Sequence, residues 1–206
     1  MIKAVGFDLD DTLYDHKSYE FEAFKEVSKL VANNFKVDEK SYFKALKKLH
    51  LNGQKSRTFD IAMQECIGFL PDNWEDFMQE SLLPTYRNFK PKKLNLYSEA
   101  KEFLEQMLKY RYKLILITNG NYNIQNSKID ALKIREYFDL ILISDDFIPP
   151  KRKPNTYMFE RALKCLKIKP YEMVYIGDDL IRDKACERVG IKFIDINSTN
   201  FSDLII

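Results

Sequence analysis

Near-continuous apolar runs recur along the chain: IKAVGF at 2–7, KLILIT at 113–118, DLILIS at 139–144, MVYIG at 173–177 and KFIDI at 192–196. Runs of this length without polar alternation are typical of strands covered on both faces, so they predict a parallel sheet. Between the later runs the period becomes helical. Ala100, Phe103, Leu104, Met107 and Leu108 fall at i, i+3, i+4, i+7 and i+8 behind Ser98, a suitable N-cap, and Met158, Phe159, Ala162, Leu163 and Leu166 repeat the stripe. Strand and helix in alternation from residue 98 onward predict an α/β, doubly wound layer.

Residues 15–95 have a different pattern. They offer no strand-like run and instead show consecutive helical stretches interrupted at Gly53, at Gly68 with Pro71, and at Pro84. One stretch from Ser18 to about Asn34 turns Phe24, Val27 and Val31 inward; the next, from about Asp38, turns Tyr42, Ala45, Leu46 and Leu49 inward. The only tryptophan, Trp74, lies here among many aromatics that read as a small separate core. The predicted organisation is therefore an α/β core from residues 1–14 and 96–206, with an all-helical insertion over 15–95.

Composition limits the function classes. At 206 residues, 45 % hydrophobic and 31 % charged, the chain is long enough for one good core and a smaller lobe. A net charge of +2 gives no field that argues for nucleic acid or an anionic membrane surface. No signal-like segment or spanning apolar run is present, which predicts a cytoplasmic protein. Cys66, Cys165 and Cys186 are too few and too scattered for a disulfide framework and read as small buried apolar side chains.

The chemistry sits where the apolar runs end. VGFDLDDTLYD places Asp8, Asp10 and Asp11 directly after the first run. Residues two apart in an extended chain point the same way, so Asp8 and Asp10 are expected side by side with Leu9 turned to the core. Two carboxylates that close resist joint ionisation unless a cation lies between them. The second run ends in Thr118-Asn119-Gly120, donors followed by a glycine that permits close backbone approach. The fourth ends in GDDLIRD, where Asp179 is expected to cap the following helix and Asp178 to point into the crevice at the strand ends. In PPKRKPNTYMF, Pro154 is expected to hold Lys153 extended and to open a helix at its first turn. Acids for a hard divalent cation, with a lysine and neutral donors for anionic oxygens, describe a site for a phosphoryl group.

These segments resemble the haloacid dehalogenase superfamily along nearly the whole chain: DLDDT at 8–12, Thr118, Lys153 in KP and GDDLIRD at 177–183 match its ordered motifs. The resemblance implies a Rossmann-like core with a helical cap acting as a mobile lid. It implies that Asp8 is the nucleophile, becoming an aspartyl phosphate, and that Asp10 protonates the leaving oxygen and then activates water. Mg²⁺ would lie between the Asp8 carboxylate, the Asp10 backbone carbonyl and the Asp178 carboxylate, with Asp183 an additional acid and Thr12 steadying the motif. Thr118 and Lys153 would hold phosphate oxygens, helped by the backbone at Asn119, while Asp11 stays at the surface. The chain departs from the family pattern where Lys-Pro-Asn-Thr replaces KPDP, where PPKR replaces a glycine-containing turn, and where Asp179 replaces a small hydroxyl residue; Arg152 reads as solvated.

The function so implied is hydrolysis of a small soluble phosphate ester such as a nucleoside monophosphate, a sugar phosphate or phosphoglycolate. No nucleic-acid or membrane partner is expected. A phosphomutase would share every core residue, a metal-free dehalogenase would lack Asp10, and a non-catalytic binding module would not need the acids.

Overall fold

A computed structural model describes residues 1–54 and 56–206. β1 (Ala4–Phe7) opens the chain, followed by α1 (His16–Asn34), α2 (Glu39–Leu51), α3 (Thr58–Ile67), α4 (Trp74–Phe77) and α5 (Leu83–Arg87). Then come α6 (Ser98–Lys109), β2 (Lys113–Thr118), α7 (Tyr122–Leu132), β3 (Leu140–Ile143), α8 (Tyr157–Leu166), β4 (Met173–Gly177) and β5 (Lys192–Asp195). The chain divides into two compact units, Met1–His16 with Lys92–Ile206, and Lys17–Pro91.

In the first unit all strands pair in parallel, in the order β3-β2-β1-β4-β5. The chain winds outward from β1 to β2 and β3, then crosses back to β4 and β5. Its direction of winding therefore reverses beside β1, and the carboxyl ends of β1 and β4 border the crevice where ligands bind in such sheets. One sheet face, with Ala4, Ile115, Ile117, Met173 and Tyr175, shares a core with Met158, Phe159 and Ala162 of α8. On β1, Phe7 instead meets Phe103 of α6 and Phe201 at ring-centroid distances of 6.2 and 6.5 Å. Each such buried ring contributes about 1.5–3 kcal/mol of apolar transfer.

The stripe on α6 is narrower than expected. Ala100, Phe103, Leu104 and Met107 are buried, but Leu108 is 38 % exposed. Eight residues at helical pitch carry it roughly 80° from the stripe's first position. Ser98 is the first helical residue rather than the cap; Tyr97 takes that place, its N–H donating to the Leu13 carbonyl at 2.9 Å. Of the cysteines only Cys186 is buried, and Cys165 is exposed because it falls between the inward positions Ala162 and Leu166.

In the helical unit, Phe24, Val27 and Val31 of α1 share a core with Tyr42, Ala45, Leu46 and Leu49 of α2 and with Trp74. The Trp74 indole N–H donates to Asp60 at 2.9 Å, which satisfies the polar end of a buried ring. Pro84 does not break the chain into separate helices as expected. A π-helical turn, Met78–Leu82, precedes α5 and leaves Pro84 at its second position, where the wider turn absorbs the missing N–H. Among the described residues no helix is long and apolar enough to cross a membrane.

Gly6 lies opposite Tyr175 in the β1–β4 ladder, and a Cβ there would stand 2.7 Å from the Tyr175 ring and 2.5 Å from Met173 Cε. Gly6→Ala is expected to cost about 1–3 kcal/mol through overpacking, read as a lower denaturant midpoint at unchanged slope. An unchanged midpoint would contradict this packing.

Candidate active site

The end of β1 is fixed before its side chains begin to matter: the Asp8 N–H continues the ladder to the Ile176 carbonyl at 2.9 Å. The Asp8 carboxylate accepts from Lys153 Nζ at 2.7 Å, and the same Nζ donates to Asp183 at 2.5 Å. Lys153 also reaches the Ile117 carbonyl and the Tyr175 hydroxyl, each at 3.0 Å, and is buried. An ammonium has three hydrogens, so these acceptors saturate it. Tyr175 donates its own proton to the Ile117 carbonyl at 2.8 Å, which orients its oxygen to receive from Lys153. Gly177 explains how Asp183 comes so near, because a Cβ at that position would collide with the Asp183 carboxylate.

Carboxylate oxygens of Asp8, Asp178 and Asp183 lie within 4.8 Å of one another. Thr12, buried below them, donates to Asp178 at 3.3 Å, and Asn197 holds the Asp178 carbonyl at 2.9 Å. Burial pushes the Asp8 carboxyl up to about 8; Lys153 opposes that shift, and Asp183 and Asp10 add to it. Burial, then Asp183 and Asp11, push Asp178 up to about 6. Lys153 is held above its ordinary value: burial opposes its charge, but Asp8 and Asp183 outweigh it. Oxygen donors gathered with more negative charge than Lys153 balances fit a hard divalent cation such as Mg²⁺.

The Asp10 side chain has its own set of partners, while its charge still helps to raise the neighbouring Asp8 carboxyl. β1 ends at Phe7, and Asp11 follows with a left-handed φ of 57°. Tyr14 donates to Asp10 Oδ1 at 2.6 Å, Lys128 Nζ reaches Oδ1 and Oδ2 at 2.9 and 3.0 Å, and Gln125 donates to Oδ2 at 3.1 Å. His16 Nδ1 is 3.1 Å from Oδ1. Burial would raise the Asp10 carboxyl, but the charges of Lys128 and His16 and the bonds from His16 and Tyr14 hold it well below the usual range. Its side chain lies outside the group formed by Asp8, Asp178 and Asp183. An Asp10 contribution to a cation therefore rests on its backbone carbonyl.

The remaining sequence candidates divide. Thr118 is buried and its hydroxyl accepts from Gln125 at 2.6 Å. The Asn119 side chain is taken up by the Lys153 backbone: its amide donates to the carbonyl at 2.9 Å and its oxygen accepts from the N–H at 2.7 Å. It therefore clamps the lysine loop onto the end of β2, leaving only its backbone for an anion. Gly120, at φ 149°, is required because the Gln125 side chain packs against it, a Cβ falling 3.0 Å away. Asp179 does accept from backbone N–H groups, Ile181 and Arg182 each at 2.8 Å, but it caps a turn ahead of the 3₁₀ segment Lys184–Val189. Pro154 precedes α8 by three residues rather than starting it, with the Asn155 side chain accepting from the Tyr157 N–H at 2.9 Å. Arg152 forks onto Asp145 at 2.8 and 2.5 Å. Asp11 is exposed and accepts from the His16 N–H.

Sequence reasoning missed Lys128, Gln125 and Tyr175. A signal for two of them exists: Gln125, Lys128, Ile129 and Leu132 are the buried positions of α7 at i, i+3, i+4 and i+7. Polar residues at inward positions mark a helix whose first turns face a site rather than a core.

The chain matches the model of the family described as haloacid dehalogenase-like hydrolase over residues 5–196. It is 29 % identical over 210 residues to a glyceraldehyde 3-phosphate phosphatase from Methanopyrus kandleri, covering 99 % of this chain and 88 % of that protein. It is 25 % identical over 195 residues to a human N-acylneuraminate-9-phosphatase, covering 88 % and 76 %. A crystal structure of a haloacid dehalogenase superfamily hydrolase of subfamily IA from Geobacter sulfurreducens superposes with a TM-score of 0.70 at 19 % identity, covering 94 % of this chain and 86 % of that one. Carboxylates and a lysine converging at the ends of β1, β2 and β4, on a parallel sheet of this order, agree with a match that spans the sheet from end to end: the chain belongs to the haloacid dehalogenase-like hydrolases.

Proposed function

We propose that the protein is a Mg²⁺-dependent phosphatase of small sugar phosphates that forms an aspartyl phosphate on Asp8. The observation that carries the reading is the position of the Asp8 carboxylate, 2.7 Å from a buried lysine and grouped with Asp178 and Asp183. The named relatives, phosphatases of glyceraldehyde 3-phosphate and of N-acylneuraminate 9-phosphate, support small carbohydrate phosphates as the substrate class. Retention of Asp10 favours phosphorus over the carbon centre that a dehalogenase attacks.

Mg²⁺ would be held by Asp8, Asp178 and Asp183 with the Asp10 backbone carbonyl, and when bound it supplies the positive charge that lets a carboxylate approach a phosphate dianion. An Asp8 oxygen attacks phosphorus while the ester P–O bond breaks, and the leaving alkoxide takes a proton from Asp10. Asp10, now ionised, removes a proton from water; the water oxygen attacks phosphorus, the bond to Asp8 breaks and inorganic phosphate is released. Lys153 reaches a phosphate oxygen by exchanging one of its present acceptors, and Asn119 keeps its loop in register while it does so.

Purified protein is expected to hydrolyse p-nitrophenyl phosphate and glyceraldehyde 3-phosphate with Mg²⁺, to lose activity in EDTA and regain it on Mg²⁺ addition. Asp8→Asn should lower kcat by about 1,000-fold or more with the fold retained. Metal-independent turnover, or a fully active Asp8→Asn, would contradict the reading. Gly177→Ala, by displacing the Asp183 carboxylate, should lower kcat/KM at limiting Mg²⁺ by roughly 10-fold or more; unchanged kcat/KM would show that Asp183 is not needed where it stands.

A further inference from the structure

α7 is tied into the site by its own start. The Asn121 side chain caps it, accepting from the Asn123 and Ile124 N–H groups at 3.0 and 3.3 Å, so the helix begins directly after the end of β2. That start fixes Gln125 and Lys128 three residues apart on the same inward face. Lys128 is 2 % exposed, and an ammonium so placed requires a partner. Its partner is both oxygens of Asp10, at 2.9 and 3.0 Å. Gln125 spans the gap from the other side, donating to Asp10 at 3.1 Å and to the Thr118 hydroxyl at 2.6 Å. Because Gln125 packs against Gly120, its amide has little freedom to turn away.

We propose that Lys128 and Gln125 are positioning residues for Asp10, fixing its carboxylate in the orientation from which it serves the leaving oxygen and the attacking water. This rests on the assignment of Asp10 as the proton-transfer group. The two lysines then have separate tasks: Lys153 serves the nucleophile Asp8, and Lys128 serves Asp10. A carboxylate held at both oxygens by one ammonium, and at one of them by an amide, cannot rotate about its terminal bond without losing a charge-assisted contact. The consequence is selective. Esters whose leaving group is strongly basic depend on a well-placed acid, whereas a nitrophenolate departs with little help, so losing the clamp should cost the first class far more.

The test is steady-state kinetics of Lys128→Met, Lys128→Arg and Gln125→Leu on glyceraldehyde 3-phosphate and p-nitrophenyl phosphate, with a crystal structure of Lys128→Met. Lys128→Met is expected to lower kcat on the alkyl ester by roughly 100-fold, and on the aryl ester by less than about 10-fold, with KM changed little. Lys128→Arg should recover part of the loss, and Gln125→Leu should show the same substrate asymmetry at smaller size. Equal losses on both esters, or a change confined to KM, would overturn the proposal. The crystal structure separates this from the broader reading: Asp10 swung away from Gln125 in Lys128→Met supports the clamp, and Asp10 unmoved overturns it, whatever the substrate proves to be.

Discussion

The constraint from which the site follows is an imbalance of buried charge. At the carboxyl ends of β1, β2 and β4, carboxylates of Asp8, Asp10, Asp178 and Asp183 are drawn together with the ammonium groups of Lys128 and Lys153. Taking so many ionised groups out of water is costly unless each is paired, and the pairing here is incomplete on the side of Asp8 and Asp178. Burial, with neighbouring acids adding to it, pushes the carboxyl groups of both upward. A parallel sheet makes the arrangement feasible, because its interior strands need only apolar side chains to pack and leave their ends available for polar ones.

Two lysines divide the acids between them. Lys153 ties Asp8, Asp183 and the Tyr175 hydroxyl into one cluster, and Asn119 fixes the loop that carries it. Lys128, from α7, takes Asp10 into a second cluster with Tyr14, His16 and Gln125. Asp8 and Asp10 are neighbours in sequence, yet one is held from the loop before α8 and the other from α7. On the proposed chemistry the separation is useful: one acid must remain a nucleophile while the other exchanges a proton.

Much of this was legible in the chain before any coordinates. The apolar runs mark the strands to within a residue or two because buried parallel strands tolerate few polar residues, and the acids stand out by following them directly. Other features depend on contacts that no local pattern encodes. The Asn119 amide is committed to a backbone 34 residues away, and a Thr-Asn-Gly turn gives no hint of it. Lys128 and Gln125 sit in a polar stretch that resembles a solvated helix face, and only their register with Ile129 and Leu132 distinguishes them. Pro84 misled for a different reason, since a π-helical turn can absorb it without breaking the path.

The central claim is that a divalent ion closing the charge deficit among Asp8, Asp178 and Asp183 lets Asp8 bond to phosphorus. Rapid quenching of a turnover reaction, reduction with borohydride and peptide mass spectrometry tests it most directly. The account predicts that the reductively trapped acyl phosphate appears at Asp8, as homoserine, and only when Mg²⁺ is present. Trapping at another residue, or equal trapping at Asp8 without any divalent ion, would contradict it.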